Sequence, residues 1–205
     1  MTKLVKASIV IVANVHNPSI VSPEWLKKFD FIKEEPLQFI HTPDFSAIET
    51  EIFNLIADRQ RLQITLKRIN KKNLLFMMKL VQKYVEILPH IPFRSLGLNF
   101  DWLIEKFDEN KLPHIQLNVG NIKNFKEVFP GHNVNFGLRI FAIKKPYALK
   151  LTVDPTSKNT LICMFNYHHE VVELSADIIV EYLNQIEELY TNSKEITDRI
   201  SKGEI

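Results

Sequence analysis

Strict alternation between apolar and polar residues is the feature of this sequence that most constrains its fold. In residues 61–67, Leu62, Ile64 and Leu66 alternate with polar or charged residues, and residues 149–154 show the same pattern. Successive residues of a β-strand point to opposite faces of the sheet. The alternation therefore predicts antiparallel strands with one buried face and one solvated face.

Helical periodicity elsewhere predicts helices on one face of that sheet, which gives an α+β fold class. Residues 74–88 carry apolar residues at three- and four-residue spacing. A longer helix is predicted from residue 176 to about residue 201, with Ser175 as its N-cap, and a short one at 121–129. The other strands are predicted at residues 7–15, 37–41, 45–57, 94–100, 134–143, 147–153 and 160–167.

Two similar phrases, EWLKKFD (24–30) and DWLIEKFD (101–108), contain the two tryptophans of the chain. Each follows a predicted strand and carries Trp, Leu and Phe at a spacing that suits a short helix anchored to a sheet. The alternative is a paired binding platform of exposed tryptophans. With the matching order of strand, short helix, antiparallel strands and long helix, the phrases predict an internal duplication. The halves are residues 1–90 and 91–205, in one compact unit, with Trp25 and Trp102 buried at related positions.

Composition indicates the class of protein but says little about its function. Apolar residues make up 45% and charged residues 24%, which is typical of a globular chain, and the net charge is only +2. The single cysteine, Cys163, excludes an intrachain disulfide and favours a reducing compartment. No apolar run has the ~20 residues of a membrane span, so we expect a cytoplasmic protein.

Sequence signatures of catalysis are absent. The chain has no GxGxxG, GxxxxGK[ST], GxSxG or HExxH motif, so we expect no cofactor and no metal site. An enzyme without a signature stays an alternative, with His168, His169, Glu49 and Glu51 as candidates. The two glutamates, two apart on a predicted strand, could serve acid–base chemistry if one were buried, or they are the solvated face of an edge strand.

A basic stretch between residues 59 and 72 is the third candidate. Its cations could contact phosphates, although no aromatic residues are interleaved to stack on bases. The plainer interpretation is a solvated connection between a strand and a helix. The candidate residues are Arg59, Arg61, Lys67, Arg68, Lys71 and Lys72.

The predicted C-terminal helix offers the surface most suggestive of a partner. A 25-residue helix spans ~38 Å, which is long for the sheet of one small domain. Its polar second half keeps Ile196 and Ile200 as a narrow apolar seam next to Tyr190. The overhang predicts a dimer or protein contact, unless this end frays in solvent.

Short motifs in the second half resemble a sporadically distributed bacterial family of uncharacterised proteins. Gly97 and Leu98 match a Gly-Leu-Arg-type central strand, although Asn99 stands where that family tends to have arginine. The run 196–198, Ile-Thr-Asp, matches a phrase that ends the terminal helix of the family. The resemblance implies no activity, cofactor or catalytic residue.

Together these patterns predict a non-enzymatic, intracellular interaction protein that associates with itself through its C-terminal helix. In a duplicated sheet, the concave face or the seam between the halves is the natural position for a ligand. The enzyme and, less favoured, the nucleic-acid alternatives stay open, and no membrane association is expected.

Overall fold

The computed structural model describes residues 1–107, 137–157, 159–170 and 176–204, in which nine strands form one antiparallel sheet. The strands are β1 (Thr2–Ala13), β2 (Gln38–Thr42), β3 (Phe45–Glu49), β4 (Phe53–Asp58), β5 (Arg61–Leu66), β6 (Phe93–Glu105), β7 (Leu138–Lys144), β8 (Tyr147–Ser157) and β9 (Thr160–Glu170). The helices are α1 (Pro23–Lys28), α2 (Lys71–Ile87), α3 (Ala176–Leu183) and α4 (Ile186–Lys202), with a 3-10 turn at Pro18–Ile20.

The two longest strands pair in the middle of the sheet. The strand order is β2-β3-β4-β5-β1-β6-β9-β8-β7. β1 and β6 pair from Thr2 opposite Ile104 to Ala13 opposite Phe93. Because inter-strand spacings are about 4.8 Å, nine strands span roughly 38 Å, with β2 and β7 as the two edges.

One face of the sheet is covered by helices and holds the core. Helix α2 contacts β1 and β5, and α4 contacts β1, β6 and β9. Directly paired strand residues share a face, so a buried row can be followed across the sheet. That row contains Ile48, Leu55, Ile64, Ile9, Leu98 and Tyr167. No helix of the described residues packs on the opposite face, the helix-free face, which carries Ser8, Asn99 and Asn166.

The short helix predicted at the first tryptophan phrase is confirmed as α1, and the helix predicted at 74–88 is confirmed as α2, which begins three residues earlier, at Lys71. Pro23 is the first residue of α1, and the Ser22 hydroxyl accepts the Trp25 backbone N–H at 3.2 Å. Asn70 caps α2 in the same way, accepting the Asn73 N–H at 2.8 Å. These caps satisfy backbone donors that a helix start leaves unpaired.

Three predicted elements are wrong in kind or extent. Residues 101–105 continue strand β6 instead of forming a helix, because Phe100, Trp102 and Ile104 alternate onto the buried face. The single run predicted at 45–57 is two strands joined at 50–52. The helix predicted at 176–201 is α3 and α4, and the two pack on different elements.

Some predictions fall outside the described residues. These are the helix at 121–129, the cap at residue 175 and the start of the strand predicted at 134–143. The other predicted strands of the second half are confirmed as β7, β8 and β9.

The likeness of the two tryptophan phrases does not extend to structure. Trp25 lies on helix α1 and is half-buried, whereas Trp102 lies on strand β6 and is 3% exposed. The halves do share an order of connections. In the first half, β3, β4 and β5 are neighbours in the sheet, and β5 pairs with β1 before the chain enters α2. In the second half, β7, β8 and β9 are neighbours, and β9 pairs with β6 before the chain enters α3. Internal duplication stays a prediction, now based on strand order instead of on the tryptophans.

Helix α4 is fixed to the sheet by a buried polar contact. The Trp102 indole N–H donates to Ser193 Oγ at 2.9 Å, and the Ser193 hydroxyl donates to the Tyr190 carbonyl at 2.7 Å. The Tyr190 ring packs on Trp102 and Phe100, with ring centroids 5.6 and 6.0 Å apart. Ser193 is fully buried, so its hydroxyl is the acceptor that the indole needs there.

We expect Ser193→Ala to lower the free energy of unfolding by about 1–3 kcal/mol, because it leaves a buried indole N–H without an acceptor. Urea denaturation followed by tryptophan fluorescence measures the change. Ser201→Ala is the matched control, since the Ser201 hydroxyl also donates to a carbonyl one turn back on α4, that of Asp198, but is only half-buried. Equal effects of the two substitutions would contradict the role given to Ser193.

Candidate interaction surface

The basic stretch of the sequence is divided between two ends of the sheet. Arg59 and Arg61 lie at the β4–β5 turn, and the other four cations lie beyond the far end of β5 and at the start of α2. Five of the six are already in ion pairs. The pairs are Arg59–Asp44 at 2.5 Å, Arg61–Asp58 at 3.5 Å, Lys67–Glu49 at 2.6 Å, Arg68–Glu51 at 2.5 Å and Lys71–Glu187 at 2.9 Å. The structure therefore brings no cluster of free cations together at 59–72.

The two candidate glutamates are partners of two candidate cations. Glu49 ends strand β3 and pairs with Lys67, while Glu51 lies in the β3–β4 connection and pairs with Arg68. The prediction that Glu51 lies on a strand is therefore wrong. Both ion pairs are exposed, so the glutamates have charged partners in solvent instead of the buried environment that acid–base catalysis would need.

The two adjacent histidines point to opposite faces of β9. His168 is half-exposed on the helix-free face, opposite Gly97. His169 is buried on the covered face, stacked on Tyr182 with ring centroids 4.2 Å apart. Neither ring nitrogen of His169 has a hydrogen-bond partner among the described residues. Desolvation lowers the pKa of His169 to about 4, so the ring is a neutral member of the core at neutral pH.

The described residues contain no group of three His, Cys, Asp or Glu side chains placed to hold a metal ion. A cleft of about 630 Å³ lies between the start of α2 and the first turns of α4. Its lining includes Lys71, Leu74, Glu187 and Tyr190. None of the four residues proposed for catalysis lines it, so this cleft offers the enzyme alternative no support.

The apolar seam of the C-terminal helix is packed on the sheet along the length of α4. Ile200 is 8% exposed, and Tyr190 and Ile196 are half-buried against the core. The Thr2 hydroxyl donates to Asp198 at 2.7 Å, which ties this end of the helix to the first strand. The predicted overhang is not observed, because α4 lies along strand β6, from Tyr190 beside Phe100 to Asp198 beside Thr2, the partner of Ile104. Self-association through Tyr190, Ile196 and Ile200 stays a prediction, and this packing disfavours it.

Polar side chains cover the helix-free face at the seam between β1 and β6. Ser8, Asn99, Asn166 and Lys150 lie in one row across four strands. The Asn166 side-chain amide N–H donates to the side-chain oxygen of Asn99 (Oδ1) at 2.6 Å, so the two side-chain amides satisfy each other in part. The row continues to Phe141 on β7.

The exposed apolar side chains are concentrated on the two edge strands. Phe39 and Ile40 of β2 are 40% and 46% exposed, and Phe141 and Ile143 of β7 are 69% and 87% exposed. An unpaired strand edge offers backbone donors and acceptors to another chain, and proteins usually protect it. On β2, Pro36 and Pro43 stand at either end.

Strand β7 has no proline within it, although Pro146 follows two residues after its end, and its outer edge pairs with no described strand. Arg139, Phe141 and Ile143 point to the helix-free face, because their partners on β8 do. Leu138 and Ile140 point to the covered face and pack on the core. We call this surface, formed by Arg139, Phe141, Ile143, Lys144 and the neighbouring Lys150, the β7 edge.

Sequence reasoning predicted a strand over most of β7 but missed its role. A strand with apolar residues on both faces has the pattern of a buried strand. Only the strand order shows that one edge of β7 pairs with no described strand. The run Lys144-Lys145 at its end was a usable signal, because charges at the end of an apolar strand are typical of an edge.

Comparison with known proteins does not identify this chain. No protein-family model matches the sequence, and no curated protein matches it. No helix of the described residues is both long enough and apolar enough to cross a membrane. The resemblance through 97–98 and 196–198 stays a prediction.

Burial of His169 predicts acid sensitivity. In an unfolded chain a histidine has a pKa near 6.5, whereas burial in the fold lowers that of His169 to about 4. Between these values the unfolded state binds a proton that the folded state does not, so stability falls as the pH falls from 6.5 to 4. We expect a loss of about 3 kcal/mol from this residue, complete below pH 4.

Urea denaturation across this pH range tests the assignment. His169→Phe keeps a ring beside Tyr182 and should flatten the pH dependence, while His168→Phe on the helix-free face should leave it as in the parent. A residual slope is expected in His169→Phe, since burial also lowers the pKa of His16. An undiminished slope in His169→Phe would contradict the prediction.

We expect Ile200→Ala to lower the free energy of unfolding by about 2 kcal/mol or more, because Ile200 belongs to the core of the folded chain. Ile143→Ala, at a residue 87% exposed, should change it by no more than about 0.5 kcal/mol. Urea denaturation and light scattering are measured together. If Ile200→Ala reduced the mass in solution and left stability unchanged, the residue would belong to an interface between copies.

Proposed function

We propose that this protein is a non-enzymatic interaction module that binds an extended segment of a partner protein at the β7 edge. The observation that carries the proposal is the combination of a strand edge that pairs with no described strand and two exposed apolar side chains, Phe141 and Ile143, on one face of it. Large apolar side chains exposed in this way mark interaction sites.

Strand addition suits this edge. A segment that pairs with β7 would gain main-chain hydrogen bonds along seven residues. Its alternate side chains would lie beside Phe141 and Ile143 on the helix-free face. Specificity would then come from side chains on that face, as in other proteins that bind peptides by extending a sheet.

The observations do not favour the alternatives to the same degree. The candidate catalytic residues are dispersed: two are exposed in ion pairs, one is a buried neutral ring and one lies alone on the helix-free face. Five of the six cations proposed for phosphate contact have carboxylate partners. Of the residues predicted for self-association through α4, Ile200 is buried in the core, and Tyr190 and Ile196 are half-buried against it.

Panning a library of random linear peptides on the immobilised protein tests the proposal. We expect enrichment of peptides that bind the parent and fail to bind Ile143→Lys, because a charge at residue 143 removes the apolar contact beside the added strand. Ile40→Lys is the matched control. Ile40 is 46% exposed at the opposite edge, and the same row of the helix-free face joins it to Ile143.

Peptides that bind the parent and Ile143→Lys equally well would overturn the proposal, as would the absence of any enrichment. Both substituted residues are exposed, so circular dichroism should show the same fold and thermal stability for all three proteins. A loss of binding in Ile40→Lys alone would move the site to β2 and also overturn it.

A further inference from the structure

The middle of the helix-free face carries no charged side chain. Strands β5, β1, β6 and β9 form this part of the sheet, and residues paired across them share a face. Charged residues make up 24% of the chain, and the solvated face of a sheet is normally where such residues lie. We call this area the neutral patch, and it consists of Gln63, Thr65, Ser8, Val10, Asn99 and Asn166.

Ion pairs within the chain border the neutral patch at both of its ends. Lys6 and Asp101 lie opposite each other beyond Ser8, with Nζ and Oδ2 3.8 Å apart. Arg61 and Asp58 lie beyond Gln63, 3.5 Å apart. Because each pair contains one cation and one anion, these borders present little net charge to a partner. The patch and its ends therefore suit an uncharged surface instead of a polyanion.

The side chains of the neutral patch are complementary to a copy of themselves. A side-chain amide both donates and accepts hydrogen bonds, so a surface of amides can meet its own copy, whereas a surface of like charges cannot. Asn166 donates to Asn99 Oδ1 at 2.6 Å, and the Gln63 amide donates to Thr65 Oγ1 at 3.1 Å. These contacts use only part of the hydrogen-bonding capacity of each amide.

Glycine in the middle of the face leaves room for a close approach. Gly97 lies opposite Val10 on one side and His168 on the other, and a Cβ there would lie 3.3 Å from Asn166 Nδ2. A glycine inside a strand often marks a place where another molecule comes near the backbone. With the small side chain of Ser8 beside it, the centre of the patch is low enough for another sheet to pack on.

We propose that two copies of the chain pack with their helix-free faces together, so that the neutral patches meet across a two-fold axis. Such an interface uses the same surface on both copies, which is the commonest arrangement in soluble oligomers. The amides would hydrogen-bond between the copies. Half-buried apolar residues around the patch would lose their contact with water, and these are Val12, Ile56, Leu103 and Met164.

The area of the face is of the size that a stable dimer needs. Nine strands span roughly 38 Å, and about six residues of each span roughly 20 Å, which gives on the order of 700 Å². A standard interface buries about 800 Å² on each partner. Sheets that pack face to face lie about 10 Å apart with their strands aligned within about 30°. This inference goes beyond the proposed function and does not rest on it, since the β7 edge lies at the margin of the face.

Sedimentation equilibrium over a series of concentrations tests the dimer. We expect a mass of twice the 24.0 kDa of one chain, which falls towards the mass of one chain on dilution. Circular dichroism of each protein in the series shows whether its fold is that of the parent.

Two variants place opposite charges at the same point of the neutral patch. Val10 and Gln63 are direct partners across β1 and β5, so Gln63→Glu and Val10→Arg differ mainly in the sign of the added charge. Either charge would be buried without a partner in the dimer, so each variant should raise the Kd of the dimer by at least about tenfold. Gln60→Glu makes the same chemical change in the exposed β4–β5 turn and should alter the Kd by no more than about twofold.

The mass of one chain at every concentration would overturn the proposal. A dimer that Gln63→Glu and Val10→Arg leave intact would place the interface on another surface, and opposite effects of the two variants would indicate contact with a charged group. Either result overturns the packing of neutral patches.

Urea denaturation separates an interface from a surface that is covered within one chain. If Gln63→Glu lowered the free energy of unfolding and left the mass unchanged, the neutral patch would be covered within the chain, and the proposal would fail. Peptide panning has a separate readout, so binding at the β7 edge stands or falls independently of these results.

Discussion

The pairing of β1 with β6 is the constraint on which the rest of the structure depends. These strands are 12 and 13 residues long, and their antiparallel pairing joins residues about ninety positions apart in the chain. β5 and β9 pair on the outer sides of the two strands, so every other strand takes its position from this pair. The alternation of Ile9, Ile11, Leu98 and Phe100 onto one face fixes which side of the whole sheet receives the helices.

A wide sheet with one covered face leaves the protein with two kinds of free surface. The helix-free face at the seam is polar, with Asn99 and Asn166 bonded to each other. The edges are different, because a strand edge keeps unpaired backbone groups whatever its side chains are. Among the described strands, β2 and β7 have a neighbour on one side only, so these are the edges that must be protected or used. The exposed apolar residues at both edges make these edges the candidate sites of interaction.

How far the sequence predicted this structure depends on whether a feature is local. The strands at 61–66 and 160–170 and the cap at Ser22 follow from alternation and capping, which are properties of a few neighbouring residues. Residues 101–105 were misread because Trp102, Leu103 and Phe107 suggested a helix. The alternation of Phe100, Trp102 and Ile104 was the stronger pattern. The length of α4 was overestimated because Asn184 and Gln185 do not interrupt the helical pattern strongly.

The candidate sites were less predictable, since they depend on contacts between distant parts of the chain. Cations near residue 68 look free in the sequence, but carboxylates 17 and 18 residues away neutralise Arg68 and Lys67. The seam at Ile200 looks like an overhang until the break between α3 and α4 and the length of β6 are known. The β7 edge was missed for the same reason, because strand order is a tertiary property that alternation within one strand does not encode.

The contrast between the two edges bears on what β7 is for. β2 is short and bounded by prolines at 36 and 43, and acids beside it, Glu35 and Asp44, are paired with Lys27 and Arg59. Those features limit pairing with any strand. β7 is longer, and although Pro146 follows two residues after its end, the protection along the strand itself is a set of exposed cations that repel a second copy of it. Charge repulsion excludes an identical strand, which is the commonest wrong partner, but it does not close the edge. A selective binding edge has to meet both of these requirements.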